Sequence, residues 1–331
     1  MLFHPTILAL YAGSLMVSFL VLYALPPTWQ VWRRWDLNSG SEEQLTIERK
    51  TYLISTLLAY AFAFELLSLF LYIFTAEQLH TYFVGAMCAA GSLYVNAYGY
   101  PTLILRLINF LLVGLWLIVN YVDNRAPDYP LIRKKYLFFL LLAPLILLET
   151  ALQAGYFLQL KADVITSCCG SLFSTDRTLI PDTPNFLPQF PARVIFYTVM
   201  GVTIGWGSYA YRQGRGAVLF SGLSALALLV SVMSIFSFIS LYIYELPSHA
   251  CPFCLLKPEY HYVGYVLYLS LLGGGLTGIG AGILSPFRNI TGLAVIIPAL
   301  QKKLILTALI LFVMFAAVVT FQIVRSNLVL S

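Results

Sequence analysis

Charge is what this sequence has least of. Only 10% of its 331 residues are Asp, Glu, Lys or Arg, against roughly a quarter in an ordinary soluble domain. Hydrophobic residues make up 60%, and mean hydropathy is +0.84. No water-soluble fold hides that much apolar surface, so the chain reads as a polytopic membrane protein with the lipid bilayer as its surroundings. The net charge of +5 is then a matter of membrane orientation, and no nucleic-acid partner is expected. Other signatures are missing too. There is no nucleotide-binding glycine loop, no H-E-x-x-H, no C-x-x-C-H and no internal repeat. No basic residue precedes the first apolar run, whereas Arg33 and Arg34 follow it. That is the wrong order for a cleaved signal peptide, and the run reads as a retained first span.

The apolar runs read as eight spans, at about 6–25, 52–74, 101–123, 135–156, 192–211, 217–244, 261–284 and 304–326. Each provides the roughly 20 helical residues a bilayer needs. The expected fold is an all-α transmembrane helix bundle forming a single integral membrane domain over 1–331. A ninth apolar stretch, 76–99, is interrupted by glycines, His80 and Asn96. Charge decides its status. Arg33, Arg34, Arg49 and Lys50 fall in one loop, and Arg125, Arg133, Lys134 and Lys135 in another. Arg212 and Arg215 fall in a third, and Arg288, Lys302 and Lys303 in a fourth. Eight spans put all four loops on one side, as the positive-inside rule asks, and a ninth would set the first against the rest. Residues 76–99 are therefore expected to be re-entrant or interfacial, and both termini extracytoplasmic. The expected location is the inner (cytoplasmic) membrane.

On this topology Cys88, Cys168, Cys169, Cys251, Cys254, His4, His80, His249 and His261 all fall on the outer side. The outer loops 157–191 and 245–260 carry the cysteine motifs. Thiols outside the cytoplasm are normally oxidised, ligated or avoided. Cys251-Pro-Phe-Cys254 can close a small disulfide or chelate one ion. A helix beginning at Cys254, with Lys257 nearby, would favour a thiolate. Cys168 and Cys169 are adjacent, and a bond between neighbours is strained, so each is expected to pair elsewhere or share a metal. Cys88 makes the count odd. Inside the spans, Glu65, Arg106 and Glu149 are costly ionisable groups. They are expected to pair, to form a proton path or to anchor a quinone. Gly274, Gly278 and Gly282 form a stripe that lets another helix come close. Tyr242, Tyr244, Tyr260, Tyr262 and Tyr265 read as an aromatic belt.

The stretch "ACPFCLL" at the outer end of a span resembles the vitamin K epoxide reductase family and, less closely, the DsbB family. Those are membrane thiol oxidoreductases in which such a pair faces a quinone and a loop pair meets a thioredoxin-fold partner. The resemblance implies that Cys251 and Cys254 are the quinone-side pair, with Cys168 or Cys169 as shuttle cysteines. It covers about seven residues, and the families' four-helix bundle differs from the eight spans expected here.

Three functions follow as expectations. The first is a thiol–disulfide oxidoreductase using Cys251, Cys254, Cys168 and Cys169, with a quinone near Arg106, Glu65 and Glu149. The second is a soft-metal protein that binds copper or zinc through Cys88, Cys168, Cys169, His249, Cys251, Cys254 and His261. The third is a quinone-binding or structural subunit of a respiratory complex, docked to other membrane subunits.

Overall fold

The computed structural model describes residues 3–35, 41–126, 129–161, 189–246, 249–290 and 292–328. Among these the secondary structure is helical, with no strand element. Seven helices or helix runs are long and apolar enough to cross a membrane: Pro5–Arg34, Gln44–Tyr82, Gly99–Asp123, Ile132–Leu158, Ala217–Tyr244, Val263–Phe287 and Ile296–Arg325. The eighth expected span, 192–211, lies within a 25-residue helix, Gln189–Gln213, that is outside this group. Its run is broken by polar and small residues, from Thr203 to Ser208.

The chain divides into two compact units, Met1–Thr166 with Asn289–Ile296, and Ser167–Arg288 with Ile297–Ser331. The sequence alone reads as one membrane domain, because both halves are equally apolar and composition shows no seam.

The first unit is built on α1 (Pro5–Arg34), α2 (Glu42–Leu79), α3 (Ala89–Tyr94), α4 (Gly99–Asp123) and α5 (Ile132–Leu158). Ser41 caps α2 by accepting a hydrogen bond from the Gln44 amide at 3.3 Å. At 38 residues α2 spans about 57 Å, more than the roughly 30 Å hydrocarbon layer. Its charged first turns therefore stand clear of the apolar region. The core joins Val17, Val21, Phe62, Trp116, Phe139 and Ile146 from α1, α2, α4 and α5. Residues 76–99 hold the end of α2, a short 3-10 turn (His80–Tyr82) and the six-residue α3. A helix that short rises only about 9 Å and cannot cross. Glu77 Oε2 accepts from the Ala89 amide at 2.7 Å, supplying the start of α3 with an acceptor that Cys88, its N-cap residue, does not provide.

The second unit holds α6 (Gln189–Gln213), α7 (Ala217–Ser234), α8 (Ser240–Tyr244), α9 (Val263–Ile283) and α10 (Ile296–Arg325), the last from Ile297 onward. A π turn, Ile235–Ile239, joins α7 to α8, and Ser240 Oγ donates to the Ile235 carbonyl at 2.8 Å. The glycine stripe of α9 does what its spacing suggests. A Cβ on Gly278 would overlap the Ser224 side chain of α7, and one on Gly274 would lie 3.1 Å from Phe312 of α10.

Candidate functional site

The C-P-F-C segment links α8 to α9 in the second unit. α8 ends at Tyr244, and Glu245 takes a left-handed conformation (φ 54°) that turns the chain off the helix axis. Cys251 and Cys254 are 2% and 7% exposed, and Phe253, Leu255 and Leu256 are also buried. The sulfurs of Cys251 and Cys254 stand as thiols within 4.8 Å of each other.

No long helix starts at Cys254. The residue opens a single 3-10 turn, Cys254–Leu256, and α9 begins only at Val263. The cause is Pro258. An α-helix from Cys254 would need an amide proton at position 258 to reach the Cys254 carbonyl, and proline has none. Lys257 N donates to that carbonyl instead, at 3.1 Å. The helix-dipole argument for a Cys254 thiolate therefore falls away.

The loop is held from both flanking helices. Tyr244 of α8 donates its hydroxyl to the Cys251 carbonyl. Tyr268 of α9 donates to the Pro252 carbonyl at 2.6 Å. Two successive carbonyls of a buried loop are thus satisfied by tyrosines rather than by a helix ladder. Gly264 brings α9 against the loop backbone, since a Cβ there would sit 2.8 Å from the Leu255 carbonyl. Beyond the loop, His261 and Tyr262 are left-handed at φ 54° and 56°. Non-glycine residues pay for such angles, so the turn into α9 is imposed by its surroundings.

The Tyr244 ring lies 4.7 Å from the His249 ring and 4.6 Å from that of Tyr260. Burial pushes the His249 pKa down, favouring neutral imidazole. Burial also raises the Tyr260 phenol, with Cys254 and Glu259 adding and Lys257 opposing. His249 is half-buried and His261 exposed. The tyrosines expected as a belt divide in two. Tyr242 and Tyr244 are buried, whereas Tyr262 is 53% exposed. Tyr268, which sequence reasoning passed over, is one of the two residues that clamp the loop. Cys168 and Cys169 lie outside the described residues.

The first unit contains the other expected residues. Cys88 is buried there at the head of α3. Glu65, Arg106 and Glu149 come together, from α2, α4 and α5. Arg106 Nη1 lies 3.2 Å from Glu149 Oε1 and 3.8 Å from Glu65 Oε1, and donates to Ser68 Oγ at 2.6 Å. Its Nη2 donates to Gln153 Oε1, and Asn109 Nδ2 donates to Glu149 Oε2 at 2.5 Å. The sequence placed Arg106 with either glutamate, and it meets both. All three are at most 5% exposed. Arg106 Nε is buried without an acceptor.

Comparison of this chain with protein-family models, with curated proteins and with solved structures found no match.

Proposed function

We propose that this protein is a membrane thiol–disulfide oxidoreductase whose working pair is Cys251 and Cys254. The observation that supports it is the pair itself: two buried thiols within 4.8 Å, in a loop clamped by Tyr244 and Tyr268. In the proposed step the two thiols lose two electrons and two protons to a quinone and join as a disulfide, and the quinone leaves as the quinol. The reverse step regenerates the dithiol. Burial of the pair beside Phe253, Leu255 and Leu256 favours a lipid-soluble electron carrier.

The orientation is part of the same proposal. In the second unit, Arg212, Arg215 and Arg288 gather at the α6–α7 turn, where Arg288 Nη1 donates to the Gly214 carbonyl at 3.0 Å. That turn is at the opposite end of α7 from the C-P-F-C loop. The positive-inside rule then puts the cysteines outside, with eight spans and both termini extracytoplasmic. The quinone assignment in the first unit rests separately on the acceptor-less Arg106 Nε, which suits a carbonyl oxygen. Glu65 and Glu149 are already engaged by Arg106, and no electron-transfer step is routed through them.

A soft metal ion is the second reading. Thiolates around a tetrahedral ion with 2.3 Å bonds sit about 3.8 Å apart, and the observed limit of 4.8 Å admits that.

The test is dithiol-driven reduction of a short-chain benzoquinone by the full chain in liposomes. Cys251→Ser and Cys254→Ser should each lower the rate to the uncatalysed background. Either variant running at the wild-type rate contradicts the proposal.

A further inference from the structure

A cavity of about 360 Å³ opens in the first unit at the end that carries the loops between α1 and α2 and between α4 and α5. Its size falls within the range of small-molecule sites. Its walls are largely apolar, from Leu45, Tyr52 and Ile132. Three polar groups set among them do not fit an apolar wall. The Trp35 indole N–H and the Thr51 hydroxyl are buried without a hydrogen-bond partner, in residues only 4% and 5% exposed. Lys135, 1% exposed, also lines the cavity, with its Nζ held 2.7 Å from Asp123 Oδ2. Buried donors are nearly always satisfied, so two orphans in one cavity mark a place where an acceptor belongs. Indole N–H can only donate, and it calls for an oxygen acceptor.

The backbone supports a built site. Tyr129, which lines the cavity, holds φ at 44°, in the region non-glycine residues avoid. Arg133 fixes the Trp35 backbone by donating to its carbonyl. Glu48 and Arg49 line the cavity with opposite charges. Residues 33–50 and 123–135 together carry eight Lys and Arg against six Asp and Glu, an excess that draws anions toward this end.

We propose that this cavity binds an anionic amphiphile. Its phosphate-type headgroup accepts from Trp35 Nε1 and Thr51 Oγ1 beside Lys135, and its chain lies on Leu45, Tyr52 and Ile132. The proposal is independent of the cysteine chemistry.

The test uses the purified full chain in neutral detergent and three probes: dihexanoyl phosphatidic acid, dihexanoyl phosphatidylcholine and inorganic phosphate. Binding is read by native mass spectrometry and by thermal stabilisation. Phosphatidic acid should bind at least tenfold more tightly than the other two. Trp35→Phe with Thr51→Val removes both donors, and should abolish that preference in the folded protein. Equal binding of phosphatidylcholine would overturn the headgroup assignment. Equal protection by inorganic phosphate would overturn the amphiphile assignment. An undiminished preference in the double variant would overturn the site. Should that variant fail to fold, Thr51→Val alone carries the test, with the same loss of preference expected and an unchanged preference refuting it.

Discussion

Tyr268→Phe removes one oxygen atom and tests how the thiol pair is held. The hydroxyl donates at 2.6 Å to the carbonyl of Pro252, the residue after Cys251. Phenylalanine fills the same space and leaves that carbonyl without this donor inside a buried loop. An orphaned buried acceptor costs about 1–3 kcal/mol. If the loop opens locally before its thiols react, this cost raises the open population by about 5- to 150-fold. The assay is maleimide labelling of Cys251 and Cys254 in the reduced full chain, followed by mass shift under conditions where reclosing outpaces labelling. Tyr262→Phe is the control, since that residue is 53% exposed and the change strips no clamp from the loop. Labelling in Tyr268→Phe should rise at least fivefold over the control. The Tyr244→Phe Tyr268→Phe double variant should gain less or more than the sum of the singles, because their acceptors are neighbouring carbonyls. A Tyr268→Phe rate within twofold of the control would refute the clamp.

Three further outcomes are expected. Arg106→Met strands two buried carboxylates and should cost about 3–5 kcal/mol, read as loss of folded protein in detergent. Glu65→Gln with Arg106→Met and Glu149→Gln should recover most of it, and a triple variant no better than the single would sink the ion-network account. Gly278→Ala forces a Cβ into the Ser224 side chain and should destabilise by about 1–3 kcal/mol. Adding Ser224→Gly should restore part of that loss, and the absence of any rescue would show that α7 and α9 do not meet there. His249 has its folded pKa lowered by burial. As pH falls below about 6.5 the unfolded chain takes up a proton that the folded chain resists, so stability drops until the folded pKa is reached and then levels. His249→Asn should flatten the melting temperature between pH 7.5 and 5 relative to wild type, and parallel curves would contradict the assignment.

Much of the fold could be read from the sequence because a bilayer imposes a simple rule. Apolar runs become helices, and the boundaries inferred at 101–123 and 217–244 match Gly99–Asp123 and Ala217–Tyr244 closely. Charge alone kept 76–99 from being a span, and its longest complete helix is six residues. Arg106 with two glutamates followed from the cost of burying charge. What escaped depended on hydrogen bonds that spacing does not show. Tyr268 sits inside a run that reads as plain helix core, yet its hydroxyl leaves the helix for the Pro252 carbonyl. Lys135 reads as a loop cation but is buried against Asp123. Pro258 carried a visible warning: a proline four residues after Cys254 denies that residue an α-helical start, as the 3-10 turn shows. The π turn at 235–239 has no comparable signal beyond the serines at 234, 237 and 240.

In the proposed function, Cys251 and Cys254 cycle between dithiol and disulfide. That cycle is open to thiol trapping in intact membranes, with a mass-shifting maleimide applied before and after reduction, with and without quinone, and after a strong chelator. Reduction should unmask both cysteines, the oxidised fraction should rise with quinone supply, and the chelator should change nothing. Thiols that label only after chelation, or a disulfide that no quinone condition moves, would contradict it.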